Sequence, residues 1–183
     1  MKVCTSFGDT EIVDCLSAGG IGVLRTDTLY GLVADASNEA AVERVFQLKH
    51  RDDDKSPIVL IASTKSVFDD IGIYKTIVDT YWPGKVSIIL PSLQAPEWLR
   101  RGNGSVAYRI PDSVGLLQLL EKTGPLIAPS ANPQGKAPAT TMQQAMDYFG
   151  DSVDFYVDGG TVDDDSPSAL LRVIKQGTVE KLR

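Results

Sequence analysis

Residues 38–61 read NEAAVERVFQLKHRDDDKSPIVLI and contain two hydrophobic patterns in succession. Asn38 is a favourable helix N-cap, and the apolar residues of one helical face follow it at Val42, Val45 and Phe46. Residues 57–61 form a short apolar run of the kind found in buried strands. The stretch therefore predicts a helix followed by a buried strand, which is the repeating unit of an α/β fold.

The rest of the chain continues this alternation. Further helices are predicted over residues 9–16, 67–82 (with a break near Gly72), 112–124 and 141–149. Strands are predicted over residues 21–24, 86–90, 106–110, 126–128 and 155–157, and residues 168–174 and 179–182 are expected to pair. This order indicates an α/β fold in which helices cover a twisted mixed β-sheet, formed as a single domain over residues 1–183.

Composition limits the class of protein. The chain has 183 residues, 43% of them hydrophobic, and a formal net charge of −6. These values suit a globular domain with a real core and argue against a wholly basic nucleic-acid or membrane surface. No secretion signal or membrane span is recognised, and Cys4 and Cys15 lack metal-motif spacing. We expect a cytoplasmic protein that does not associate with membranes.

Several common sites are excluded. His50 is the only histidine, so a Ser-His-Asp triad or a histidine-rich metal site cannot exist unless His50 is the base. Gly20-Ile21-Gly22 precedes a strand and lacks the third glycine of a dinucleotide fingerprint. Gly135-Lys136 is not followed by Ser or Thr, so it is no phosphate-binding Walker loop. Any nucleotide site must use another arrangement.

Lys49, Arg51 and Lys55 place three cations within seven residues at the end of the helix predicted to follow Asn38. Such a basic cluster in an acidic protein is what binding of a polyphosphate needs. Two simpler explanations exist. A cation in a last helical turn is favoured by the helix dipole by about 0.3–1 kcal/mol. The carboxylates at 52–54 would also suit a solvated charged loop with weak internal ion pairs.

Other polar groups follow the predicted strands. Ser130 and Asn132 come directly after the apolar run 126–128, and residues 26–31 follow the strand at 21–24. Ligands of open α/β sheets bind beyond strand ends, so these groups are candidates to line a polar pocket. Turn formation is the alternative explanation for them.

Ser105 and Arg109 lie on one face of a predicted strand if side chains alternate along it. Arg109 is flanked by apolar residues, and burying its charge requires an anionic partner. That partner is either the carboxylate of a ligand or a structural Asp or Glu.

Together these segments resemble the YrdC/TsaC-type family of L-threonylcarbamoyladenylate synthases. The resemblance covers nearly the whole chain and rests on the order of its motifs. They are Thr26-Asp27-Thr28-Leu29-Tyr30-Gly31-Leu32, Lys-x-Arg at 49–51, Trp82-Pro83-Gly84, residues 106–111, Ser-x-Asn at 130–132 with Gly135, and Asp158-Gly159-Gly160 before Ser168.

The resemblance implies a YrdC-like domain and a nucleotidyltransferase of tRNA N6-threonylcarbamoyladenosine modification. Its substrates would be ATP, L-threonine and bicarbonate, and its products threonylcarbamoyladenylate and pyrophosphate. A carbamate formed on threonine would attack the α-phosphate, with Mg²⁺ carried by the phosphates and no protein metal ligand assigned. Positioning and electrostatics would then supply the catalysis.

Residue roles follow from the same resemblance. Lys49, Arg51, Ser130 and Asn132 would be catalytic. The nucleotide would be bound by these four together with Lys55, Ser105 and Arg183. L-threonine would be bound by Thr28, Arg109 and Ser168, with Arg109 facing its carboxylate.

Partners and rival functions follow as well. The resemblance implies binding of tRNA or double-stranded RNA, which the acidic composition predicts to be weak or transient, and cooperation with threonylcarbamoyl-transferase complex proteins. One alternative is an RNA-binding maturation factor of the same fold without synthase activity. Another is a carbamoyl-transfer enzyme that uses a different amine.

The chain departs from the family pattern at several places. The family usually has proline at the positions of Arg25 and Asp52. It usually has Pro-Leu where this chain has Ser56-Pro57. Ala169 and Arg172 replace a Thr and an Asp, and the acidic residues 163–165 fill a loop that typically bears glycine. Acidity near Arg51 would weaken phosphate binding by partial neutralisation.

Overall fold

The computed structural model describes residues 2–50, 56–164, 166–175 and 178–183. Within them, ten strands form one sheet in the order β1-β8-β2-β3-β7-β4-β6-β5-β9-β10. The strands are β1 (Lys2–Cys4), β2 (Gly22–Arg25), β3 (Tyr30–Asp35), β4 (Ile58–Leu60), β5 (Val86–Pro91), β6 (Ser105–Arg109), β7 (Leu126–Ile127), β8 (Phe155–Val157), β9 (Ala169–Lys175) and β10 (Thr178–Lys181).

Helices connect most of these strands. They are α1 (Thr10–Ser17), α2 (Glu39–Lys49), α3 (Lys75–Tyr81), α4 (Glu97–Arg100), α5 (Val114–Thr123) and α6 (Met142–Phe149). Short 3₁₀ turns occupy Thr64–Ser66, Gly72–Tyr74 and Gly150–Ser152.

The sheet is mixed, as the sequence predicts. The pairs β1-β8, β2-β8, β4-β6 and β5-β9 are parallel. The pairs β2-β3, β3-β7, β4-β7, β5-β6 and β9-β10 are antiparallel. The pairing of β9 with β10 is the one expected between the last two predicted strands.

Helices pack on both faces of the sheet because strand residues alternate between two cores. Val23 and Val59 lie in the core covered by α2, α3 and α6, whereas their neighbours Leu24 and Leu60 lie in the core covered by α1 and α5. This alternation is the period-2 pattern of a sheet buried on both sides. The predicted α/β class with covering helices is confirmed.

Helix N-caps largely match the sequence. The side chains of Asp9, Asn38 and Thr141 accept hydrogen bonds from the first turns of α1, α2 and α6. The prediction that Asp112 opens α5 is wrong, because Ser113 is the N-cap and its side chain accepts from the backbone N–H of Leu116. An Asp and a Ser in succession offer the same capping chemistry, so local sequence does not separate them.

The prediction of helix across residues 67–82 is correct only for its second part. Residues 67–71 are not helical, and Asp69 explains why. Its carboxylate accepts the Ser92 hydroxyl and the backbone N–H groups of Leu93 (2.9 Å) and Gln94 (3.2 Å). These long-range bonds hold the segment against the chain after β5, and they override its local helical pattern.

Strand β3 was not predicted. Residues Tyr30 to Ala34 are all buried in the middle of the sheet, between β2 and β7. Its polar approach, Thr26-Asp27-Thr28, favours a turn by local chemistry, and the glycine at 31 reinforces that interpretation. Strand β1 and helix α4 were not predicted either.

Gly22 tests the close packing of β2 against β8. A Cβ at Gly22 would lie 2.3 Å from Cζ of the Phe155 ring, and that ring is only 2% exposed. We expect Gly22→Ala to lower the free energy of unfolding by about 1–3 kcal/mol, because the buried ring cannot move aside. Urea denaturation measures the change.

Gly8→Ala is the matched control, because the nearest atom to its added Cβ is Ser6 Oγ at 3.4 Å. The control should change the unfolding free energy by no more than about 0.5 kcal/mol. Equal stability of the two variants would contradict this description of the β2-β8 contact.

Candidate functional site

A cavity of about 770 Å³ opens where the ends of several strands meet. Its floor includes alternate residues of β6, namely Ser105, Ala107 and Arg109. The intervening Val106 and Tyr108 point into the core instead. The prediction that Ser105 and Arg109 share a strand face is therefore confirmed.

Most of the candidate residues converge on this cavity. Its lining includes the predicted threonine contacts Thr28, Arg109 and Ser168, and the predicted nucleotide contacts Ser105, Ser130 and Arg183. Apart from Ser105 and Arg109, which share β6, these side chains come from separate segments of the chain, so the fold and not local sequence brings them together.

Lys49 connects the Lys-x-Arg motif at 49–51 to the Ser-x-Asn motif at 130–132, which is distant in the sequence. It is the last residue of α2 and is 4% exposed. Its Nζ donates to the carbonyl oxygen of Ser130, to that of Asn132 (2.6 Å) and to Asn132 Oδ1 (3.2 Å). Lys49 thus holds the 130–132 loop at the cavity, and the loop in turn compensates its buried charge.

The same loop has its own hydrogen bonds. Ser130 Oγ donates to Asn132 Oδ1 (2.6 Å), and Asn132 Nδ2 donates to the carbonyl oxygen of Lys136 (2.7 Å). The backbone N–H of Gln134 donates to the carbonyl oxygen of Lys49 (2.7 Å). Ser130 lines the cavity, whereas the lining does not include Lys49 or Asn132. Direct ligand contact by these two stays a prediction.

Arg51 and Lys55, the other two predicted phosphate contacts, lie outside the described residues. The acidic residues 52–54 lie there as well. The described chain resumes at Ser56, which lines the cavity. The described residues Lys49 and Ser56 are therefore both at the site, since Lys49 contacts its 130–132 loop.

Arg109 is the most deeply buried cation of the cavity wall, at 3% exposure. Its Nη2 lies 3.1 Å from Asp27 Oδ1 and 3.5 Å from Thr26 Oγ1. Burial lowers the pKa of Arg109 from its ordinary value, Asp27 opposes that change and Arg183 adds to it. A structural aspartate, one of the two partners that the sequence allows, is thus present. Arg109 nevertheless also faces the cavity.

Hydroxyl groups surround this arginine. Thr26 Oγ1 donates to the carbonyl oxygen of Leu29 (2.7 Å) and lies 3.1 Å from Thr28 Oγ1. On the neighbouring strand β5, Ser87 Oγ lies 2.9 Å from Ser168 Oγ. These bonds fix the hydroxyl orientations and leave a polar rim of the kind that recognises small polar ligands.

The wall that carries Ser168 is also tied to the C-terminal strand. Arg183 Nε donates to the carbonyl oxygen of Ser168 (3.2 Å), and the backbone N–H of Leu170 donates to that of Arg183 (3.2 Å). Arg183 thereby reaches the cavity even though it is exposed.

Tyr30 holds the Asp158-Gly159-Gly160 turn by hydrogen bonds. The Tyr30 hydroxyl donates to the carbonyl oxygen of Gly160 (2.7 Å) and accepts from the backbone N–H of Gly159 (3.0 Å). Burial raises the pKa of Tyr30, so the phenol stays protonated as a donor. Arg25, which replaces a usual proline, donates to the carbonyl oxygen of Gly159 (2.7 Å).

Sequence reasoning missed several lining residues. Ser56, Asn103 and Arg172 all face the cavity. Asn103 Nδ2 donates to Ser56 Oγ (3.2 Å), which itself donates to the carbonyl oxygen of Arg100 (2.9 Å). The only available signal was that polar residues flank the predicted strands, and that signal is too common to select them.

Metal and membrane features are limited in the described part of the chain. No group of three His, Cys, Asp or Glu side chains there could hold a metal ion. The cavity lining, taken over the same residues, contains arginines but no carboxylate. None of the described helices has the length and apolar character needed to cross a bilayer.

Comparison with known proteins gives a consistent result. Residues 14–183 match the model of the Sua5/YciO/YrdC family, whose description is telomere recombination. The chain is 35% identical over 164 residues to the threonylcarbamoyl-AMP synthase of Marinobacter nauticus, covering 86% of each protein. It is 33% identical over 172 residues to that of Pseudomonas fluorescens Pf-5, covering 90% of this chain and 91% of that protein.

Solved structures agree with the fold. The crystal structure of P. abyssi Sua5 complexed with L-threonine superposes with a TM-score of 0.90 and 27% identity. The match covers 100% of this chain but only 57% of the Sua5 chain. E. coli YciO superposes with a TM-score of 0.83 over 100% of this chain and 93% of its own, and at 19% identity it supports the fold alone.

Lys49 gives a direct test of the site's construction. We expect Lys49→Met to lower the free energy of unfolding by about 2–4 kcal/mol, because the buried oxygens of Ser130 and Asn132 lose their donor. Lys122, the exposed last-turn lysine of α5, is the matched control. Lys122→Met should have an effect of at most about 0.5 kcal/mol. Urea unfolding compares the two, and similar losses would contradict the assigned role of Lys49.

Proposed function

Because this chain belongs to the Sua5/YciO/YrdC family, we propose that it is a threonylcarbamoyl-AMP synthase. It would convert ATP, L-threonine and bicarbonate into threonylcarbamoyladenylate and pyrophosphate, as a nucleotidyltransferase of tRNA modification. The observation that carries this proposal is that six predicted ligand contacts line one cavity. The names of its relatives and the threonine complex of Sua5 support it.

The size of the cavity supports a site for two substrates. At about 770 Å³ it lies within the range of roughly 300–1,000 Å³ that is usual for small-molecule sites. That volume is far more than an amino acid needs. A nucleotide and an amino acid side by side would use it well.

The charges of the cavity support anionic ligands. Arg109, Arg172 and Arg183 line it, and its described lining has no carboxylate. Threonine carboxylate, carbamate and triphosphate are all anionic, and guanidinium groups bind such groups with paired N–H donors. The protein as a whole is acidic, so this local excess of arginine is a property of the site.

The proposed chemistry needs positioning more than a protein nucleophile. The amine of threonine forms a C–N bond with bicarbonate carbon, with loss of water, to give a carbamate. A carbamate oxygen then bonds to the α-phosphorus of ATP, and the bond from that phosphorus to the bridging oxygen of pyrophosphate breaks. Holding both substrates in one cavity supplies the proximity that such a step requires.

The residues divide between the two substrates. Arg109 would face the threonine carboxylate, with Thr28 and Ser168 near its other polar groups. Ser130 and Asn132, held by Lys49, would contact the nucleotide and the reacting groups. Arg51 and Lys55, with Lys49, would offset charge on the phosphates, and Ser105 and Arg183 would also contact the nucleotide.

Mg²⁺ would enter this site on the phosphates of ATP. The described lining offers hydroxyl and carbonyl oxygens but no carboxylate cluster. A hard cation that keeps most of its ligands from phosphate and water suits such a site. When bound it would neutralise phosphate charge, and the protein would contribute orientation.

The remaining partners stay predictions. Binding of tRNA or double-stranded RNA and cooperation with threonylcarbamoyl-transferase proteins are inferred from the family resemblance, and a cytoplasmic location from the sequence composition. RNA binding would be salt-sensitive, since such contacts release counterions.

The direct test is release of pyrophosphate by the purified protein with Mg²⁺. We expect release only when ATP, L-threonine and bicarbonate are all present. Arg51→Ala should lower the rate by about 100-fold or more, because it removes a cation that stabilises the leaving group. Lys122→Ala, on the exposed surface of α5, is the control and should retain the wild-type rate.

Ligand-induced stabilisation provides a second readout. A ligand at 100 times its Kd should raise the free energy of unfolding by about 2.7 kcal/mol. If another amino acid stabilised the protein in place of threonine, the alternative of a carbamoyl-transfer enzyme that uses a different amine would be favoured. Tight RNA binding, with no pyrophosphate release and no stabilisation by ATP or threonine, would overturn the synthase proposal.

A further inference from the structure

Asp27 is a buried carboxylate beside the cavity that no ligand prediction uses. Its side chain is 2% exposed and is absent from the described lining of the cavity. Oδ2 accepts a hydrogen bond from the backbone N–H of Asp112 (3.2 Å), while Oδ1 lies 3.1 Å from Arg109 Nη2. One oxygen is therefore anchored to the backbone, and the other pairs with the arginine by charge without a hydrogen bond of its own among the described residues.

Only part of the Arg109 guanidinium is in contact with other protein groups among the described residues. Nη2 lies between Asp27 and Thr26 Oγ1, and Nε has no hydrogen-bond partner among the described residues. A guanidinium carries five N–H donors in a rigid plane, so fixing one nitrogen fixes the direction of the others. Arg109 also lines the cavity, so a guanidinium fixed in this direction is presented to a ligand there.

We propose that Asp27 is a positioning residue that orients Arg109 to receive the carboxylate of the amino-acid substrate. The inference rests on the proposed function, because it assigns Arg109 to that carboxylate. Asp27 touches Arg109 and the backbone, and it would act on the substrate through Arg109 alone.

Charge supports the same role. Arg183 and Arg109 line one cavity, and two cations near each other repel. Asp27 offsets part of this repulsion from the buried side, where it does not compete for the space of the ligand. A buried arginine without such a partner would also be strongly destabilising.

Asp154 provides a matched structural comparison. Its Oδ2 accepts from Arg44 Nη1 (2.8 Å) and from the backbone N–H of Ile21 (2.8 Å), so Asp154 also joins an arginine to the backbone, in a more exposed pair than Asp27 and Arg109. Asp154 lies near the start of β2, whereas Asp27 follows its end, and neither Asp154 nor Arg44 lines the cavity. Substitution of Asp154 therefore removes another aspartate that joins an arginine to the backbone, without touching the site.

The experiment compares L-threonine with L-threoninol, in which a hydroxymethyl group replaces the carboxylate. Calorimetry gives the Kd of each compound for the wild-type protein, Asp27→Asn and Asp154→Asn. We expect Asp27→Asn to lower the preference for threonine over threoninol by about tenfold or more, the range of a charge-assisted hydrogen bond. Asp154→Asn should leave the preference within about twofold of wild type.

A purely structural role for Asp27 would weaken both compounds equally, and an unchanged preference in Asp27→Asn would overturn the proposal. If Asp27→Asn does not fold, Asp27→Glu decides, because it keeps the charge but displaces it by one methylene. The preference should then fall by about threefold or more. An unchanged preference would again overturn it.

The outcomes separate this proposal from the proposed function. Wild-type protein that binds no threonine and releases no pyrophosphate refutes both. If the wild-type protein is active and the Asp27 variants keep its preference for threonine, only the role of Asp27 is refuted.

Discussion

The hydrogen bonds from Lys49 to the 130–132 loop are the interaction on which the site depends. They connect the end of α2 to the segment after β7 and place Ser130 at the cavity. A buried ammonium surrounded by carbonyl and amide oxygens is tolerated because those oxygens replace its water. The interaction thus gives Lys49 a structural role that coexists with the phosphate role proposed for it.

The second constraint is the depth of Arg109 in the sheet. Its position on β6 faces the cavity by simple alternation, and the sequence shows that much. The sequence also requires an anion for it but cannot choose between a ligand and a protein side chain. The structure supplies Asp27, from a distant turn, while Arg109 keeps one side on the cavity. Both alternatives can therefore hold at once.

Local patterns predicted the elements whose signals are local. The cap at Asn38 and the helical face of α2 needed only neighbouring residues. Strand β3 was missed because its identity comes from burial between β2 and β7, which are set by the rest of the sheet. The lining residues Ser56 and Asn103 were missed for the same reason, since only the folded chain brings them together. Motif order predicted six residues that line the cavity, and tertiary contacts determined its geometry.

The central claim is that one cavity holds both the nucleotide and the amino acid. A crystal structure of the protein with L-threonine and a non-hydrolysable ATP analogue tests it most directly. The account predicts that the threonine carboxylate binds at Arg109. It also predicts that the α-phosphate of the analogue lies next to the bound threonine, within reach of Ser130. Threonine or nucleotide bound outside this cavity, with Arg109 and Ser130 free of ligand, would contradict it.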